Sequence, residues 1–81
     1  GLNKNHSFFL NTGDILLTYT DGCTEAMNHN HEQFDVHKLC QSLIKNSGLP
    51  VEKIKERILG EIMGWMCEQK DDLSLVIFKK I

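Results

Sequence analysis

Two acidic positions frame this sequence. Asp21 closes a run of strand-forming residues, Ile15 to Thr20, and is followed by Gly22, so the stretch reads as a strand that delivers a carboxylate to a turn. Far along the chain Asp71 and Asp72 stand directly before a second such run, Leu73 to Phe78. If the two strands pair antiparallel, the end of the first lies beside the beginning of the second, and the acids meet at one sheet edge. Carboxylates grouped in this way suit a hard divalent cation such as magnesium or manganese, which takes carboxylate, carbonyl and water oxygens. Asp72, Asp14 and Glu25 are further oxygen donors in the same stretches. The competing reading makes each acid a turn or cap residue, since Asp is common beside strand ends and glycine.

Other residues with usable chemistry make weaker cases. His29 and His31, with Glu32, could ligate a transition metal, but they sit in a polar loop without a fourth ligand. His6 and His37 read as solvated surface residues. Cys23, Cys40 and Cys67 are odd in number and widely spaced, which suggests neither a disulfide framework nor a thiolate zinc site. A reducing cytoplasm is the simplest setting. Cys40 and Cys67 fall on apolar helix faces and are expected to be small buried hydrophobes, while Cys23 has no base placed to activate it. The strand ending in Asp21-Gly22-Cys23-Thr24 also invites comparison with haloacid dehalogenase-type phosphotransferases, whose nucleophilic Asp lies two residues earlier. Tyr19 occupies that position, so the nucleophile is missing and this reading is rejected.

The elements that must position the acids follow from periodicity. Gly1 to Ser7 reads as an extended lead-in, Phe8 to Leu10 as a short strand, and Asn11 to Asp14 as a turn. Ile15 to Thr20 is the next strand, and Thr24 to Met27 allows one helical turn before the polar loop around His29. Val36, Leu39, Cys40, Leu43 and Ile44 share one helical face, with Asp35 as N-cap acceptor, Phe34 and Leu39 as a hydrophobic staple and Gly48 as the stop. A second helix opens after Pro50 and carries Ile54, Ile58, Ile62, Trp65 and Met66 on one stripe, which reads as core packing. Gly60 and Gly64, four apart within it, often signal close helix approach, though a water-soluble helix needs no such explanation. The order strand, strand, helix, helix, strand predicts an α+β fold: a small antiparallel sheet with two helices on one face. Leu16, Leu73, Leu75, Val76, Ile77 and Phe78 supply apolar side chains to both faces of the sheet, so something outside this chain is expected to cover the second face.

With 81 residues the chain makes one domain at most and buries only about 60% of the surface its unfolded form exposes. A net charge of −2 with scattered Lys and Arg provides no basic patch, which argues against nucleic acid as a partner. No apolar run approaches the roughly 18 residues of a membrane span, and GLNKNHSFF lacks the charged and apolar regions of a signal peptide, so a soluble, unprocessed chain is expected.

Taken in order, Gly13-Asp14, Tyr19-Thr20-Asp21-Gly22, Thr24-Glu25-Ala26, Phe34-Asp35 and Asp71-Asp72 resemble the metal-dependent protein phosphatases of the type 2C superfamily, in the bacterial branch typified by the stage II sporulation E phosphatase and sigma-factor regulators. The resemblance covers nearly the whole chain. It implies that residues 1–81 are the C-terminal portion of an incomplete phosphatase domain, a fragment of an α-β-β-α sandwich, and that Asp21 and Asp71 are metal ligands, with Gly22, Glu25 and Asp72 in support. It further implies two Mn2+ or Mg2+ ions in the complete domain, a phosphorylated protein substrate such as an anti-sigma-factor antagonist, and hydrolysis of phosphoserine or phosphothreonine by metal-activated water. Asp35 replaces the usual Gly, and Lys70 stands where Thr often precedes the acidic pair. The family's early Asp and its Asp-Gly-x-Gly-His-type segment do not occur here, so the segment alone is expected to be inactive. The alternative is a regulatory or dimerising interaction module that keeps the scaffold. The uncovered sheet face also predicts homodimers of the segment.

Overall fold

In the computed structural model, residues 5–11, 14–67 and 73–80 are described. The elements run β1 (Asn5–Leu10), β2 (Ile15–Thr20), α1 (Asp21–Glu25), α2 (Asp35–Asn46), α3 (Val51–Trp65) and β3 (Leu75–Lys79). The expected α+β order is present, with three helices where two were expected. The strands form one antiparallel sheet in the order β1-β2-β3, so β2 is central. β1 begins at Asn5, earlier than the short strand read from Phe8 to Leu10.

Alternation along the strands sorts the side chains. Ile15, Leu17 and Tyr19 of β2 and Leu75 and Ile77 of β3 point to one face and are buried. There they join Leu39 and Leu43 of α2 and Ile54, Ile58 and Ile62 of α3 in a single core. The α3 stripe is thus buried as expected, although the helix ends at Trp65, before Met66. The α2 face is narrower than its periodicity suggests. Leu39 and Leu43 are buried and Cys40 half-buried, but Val36 and Ile44 are exposed because the sheet and α3 engage only the middle of the stripe.

The opposite sheet face stays open. Phe9, Leu16 and Phe78 are cross-strand partners in one row, and Ser7, Thr18 and Val76 form the next. Phe9 is 58% exposed and Phe78 60%, with Leu16 half-buried between them. None of the helices contributes a buried side chain to this face.

Two polar connections fasten the helices. Ser42 donates to Glu61 Oε2 and Lys45 Nζ to Glu61 Oε1 at 2.9 Å, linking α2 to α3. Lys79 Nζ donates to the carbonyls of Ser47 and Leu49 at 3.1 and 3.2 Å, so β3 satisfies acceptors just past the end of α2. A Cβ placed at Gly60 or Gly64 would meet nothing within 4 Å, so these glycines serve no close helix approach.

Candidate functional site

The site is built where β2 runs out. Thr20 is the last strand residue and Asp21 the first of α1, so the Asp21 carboxylate stands at the open end of the central strand. The chain entering β3 is tied to the same point. Thr20 N–H donates to the Ser74 carbonyl at 3.1 Å, Ser74 N–H donates to Thr20 Oγ1 at 3.2 Å, and the buried Cys23 thiol donates to the same Ser74 carbonyl at 3.5 Å. The antiparallel pairing expected from the sequence therefore brings the start of β3 beside the residue preceding Asp21. Asp71 and Asp72 lie outside the described residues.

Of the remaining acids, Glu25 is exposed and lies one helical turn after Asp21, within reach of the same side of α1. Gly22 is buried in the first turn of α1, which begins at Asp21 and not at Thr24. Asp14 is at the other end of β2, roughly 20 Å away at strand rise. There its backbone turns with φ 47°, its carbonyl accepts from Lys80 N–H and its carboxylate lies 4.0 Å from Lys80 Nζ. It is a turn residue and does not join Asp21.

His6, read from the sequence as a solvated surface residue, is exposed but engaged. Its Nε2 meets Asp21 Oδ1, and its ring lies 5.5 Å from that of Tyr19. Hairpin register was the signal that could have found it: a strand extended back to Asn5 sets His6 opposite Tyr19, close to Asp21. Burial, with contributions from Cys40, Asp21 and Cys23, pushes the Tyr19 phenol up, so it stays protonated.

The polar loop is a hydrogen-bonded turn. Asn28 Oδ1 accepts from the N–H groups of Asn30 and Glu32, Asn28 Nδ2 donates to Glu32 Oε1, and His31 takes φ 62°. Trp65 Nε1 donates to the Glu32 carbonyl at 2.9 Å and pins the turn to α3. The turn walls a concavity of ≈ 490 Å³ beside α1, lined by Gly22, Glu25, His29 and His31 together with the apolar Ala26, Met66 and Leu73.

The cysteines divide differently from expectation. Burial pushes the Cys23 thiol up, against its hydrogen bonding with Thr20 and Ser74, which leaves it a poor nucleophile. Cys67 follows the end of α3 and is exposed, not buried.

Among the described residues, no three His, Cys, Asp or Glu side chains converge where a metal ion could sit. Asp21 and Glu25 are oxygen donors of the kind magnesium and manganese take, and they fit one end of such a site. No helix among the described residues is long and apolar enough to cross a membrane.

A small antiparallel sheet that presents an acid at the end of its central strand defines a class of α+β domain, and comparison with known proteins places the chain within one family. The family model of stage II sporulation protein E (SpoIIE) matches residues 3–80, and the chain belongs to that family. The chain is also 30% identical over 84 aligned residues to Protein IcfG of Synechocystis sp. (strain ATCC 27184 / PCC 6803 / Kazusa), an alignment that covers 94% of this chain and 13% of that protein. The chain thus spans a small part of that relative's length. No solved structure matches it.

Proposed function

We propose that this chain is the C-terminal part of a metal-dependent phosphoserine/phosphothreonine protein phosphatase domain acting in bacterial signalling. The observation that carries the proposal is the placement of Asp21, in a SpoIIE-family chain, at the open end of β2 beside the start of β3. Asp21 and Asp71 would hold Mn2+ or Mg2+, with Gly22, Glu25 and Asp72 shaping the surroundings. When bound, such ions lower the pKa of water and neutralise charge on the phosphoryl oxygens during in-line attack. The chain's own contribution is to hold the Asp21 carboxylate at a strand terminus, braced by the Thr20–Ser74 hydrogen bonds.

The open face carrying Phe9, Leu16 and Phe78 would pack against a second sheet supplied by the rest of the parent protein, completing a sandwich with the sheets about 10 Å apart. The substrate would be a phosphorylated protein, such as an anti-sigma-factor antagonist, in the cytoplasm. A second reading rests on the same aromatic row: a non-catalytic module that uses this face to dimerise or to bind a partner.

The test is manganese-dependent hydrolysis of a phosphoserine peptide by the natural parent protein, beside the same protein carrying Asp21→Asn. Activity in the parent and its loss in the variant are expected. A folded, manganese-saturated parent that hydrolyses none of several phosphopeptides would leave the interaction module as the better account.

A further inference from the structure

The β1–β2 register sets His6 opposite Tyr19, and both side chains project to the helix-covered side of the sheet. The His6 ring leans on the Tyr19 ring with centroids 5.5 Å apart and planes 32° apart, and Tyr19 is itself braced edge-on by Phe8 at 6.0 Å. From this seat Nε2 meets Asp21 Oδ1. A carboxylate only accepts, so Nε2 carries the proton and donates. A bare surface ion pair would be worth little, but here one partner is held by strand pairing and by an aromatic neighbour.

We infer that His6 is a positioning residue: from the neighbouring strand it anchors one oxygen of Asp21 and thereby orients the carboxylate toward a divalent cation. The inference rests on the reading of Asp21 as a metal ligand. Its physical content is pre-organisation. An Asp side chain left to rotate must be ordered when the cation binds, whereas one already held by a donor loses that freedom on folding. Ligating carboxylates are commonly hydrogen-bonded in this way, and loss of the outer partner typically weakens metal affinity 10–100-fold.

The experiment is calorimetric titration of Mn2+ into the natural parent protein and into its Asp21→Asn, His6→Phe and His6→Gln variants, with the thermal unfolding midpoint of each recorded. His6→Phe keeps a ring against Tyr19 and strand propensity but cannot donate, so affinity should fall roughly 10–100-fold with little change in midpoint. His6→Gln, whose amide N–H can reach the carboxylate, should recover most of that loss. An affinity that is unchanged or tighter in His6→Phe overturns the inference, as does an equal loss in both His6 variants. If Asp21→Asn itself leaves Mn2+ binding intact, the metal-ligand reading fails, and that failure is distinguishable from failure of the positioning role alone.

Discussion

Asp35 does two things that oppose each other. Its carboxylate accepts from the N–H groups of His37 and Lys38 at 2.8 and 3.2 Å, which is N-cap bonding, while the flanking Phe34 offers no side-chain cap. Its backbone has φ 57°, a left-handed conformation that glycine adopts freely and Asp better than most other residues. In that conformation a glycine would carry no backbone strain. Asp35→Ala loses the cap, about 1 kcal/mol, and keeps the strained backbone, about 1–2 kcal/mol. Asp35→Gly loses a few tenths for the cap and relieves the backbone. Urea unfolding is therefore expected to show Asp35→Ala destabilised by about 1 kcal/mol or somewhat more and Asp35→Gly at least as stable as the unsubstituted chain. The N-cap role was legible from the position of Asp35 ahead of an amphipathic run. Its dihedral was not, because nothing local to an Asp declares how the preceding turn approaches the helix.

The helices carry two predictions. Gly60 and Gly64 lie within α3, are exposed, and have open space where a Cβ would stand. Gly60→Ala and Gly64→Ala should each stabilise by about 1 kcal/mol, raising the melting temperature by about 4–8 °C apiece for a domain of this size. A drop in melting temperature would mean that these positions are covered in solution. The second prediction concerns the link between α2 and α3. Burial pushes the Glu61 carboxyl up, but hydrogen bonds from Ser42 and Lys45 and the Lys45 charge outweigh it and leave the group below its ordinary value of 4.5. A depressed carboxylate stabilises the fold above its unfolded-state pKa, and that contribution is lost as pH falls through the folded value. Acid unfolding curves of the chain and of Glu61→Gln should accordingly converge as pH falls through the depressed folded value, with the unsubstituted chain the more stable at neutral pH. Solvent screening keeps the difference small, since the Glu61 side chain is 38% exposed.

For the whole molecule, one covered and one open sheet face is the dominant fact. Phe9, Val76 and Phe78 remain exposed on a sheet whose other side carries the core, and among the described residues both flanking strands are edges. Contiguous apolar surface of this kind marks an interaction site. The 81-residue chain is expected to associate with rising concentration and to bind an apolar fluorescent dye, and Phe9→Thr with Phe78→Thr should diminish both while keeping strand propensity. Sedimentation velocity that finds a monomer at every concentration, together with absent dye binding, would contradict the prediction. The open face was visible in the sequence as apolar residues on both parities of the last strand. The row of Phe9, Leu16 and Phe78 needed the register, because it draws on three strands far apart in the chain.

What the residues alone determined was local. The stripe of Ile54, Ile58 and Ile62, the Leu39–Leu43 pair behind Asp35, the central strand ending in Asp21 and the motif order of the SpoIIE family are properties of contiguous stretches, set by helical or strand period and by capping chemistry. Tertiary structure decided everything that depends on who meets whom. It left Val36 and Ile44 in solvent, because the sheet and α3 cover only part of the α2 stripe, and it exposed Cys67, because α3 ends at Trp65. It set Lys80 against the Asp14 turn, and it folded the His29–His31 loop into a turn held by Asn28 and Trp65. Above all it brought His6 to Asp21, a contact between residues 15 positions apart that exists only once β1 and β2 have paired in one register. Such pairings follow from the shape of the assembled core, which no stretch of the chain encodes by itself.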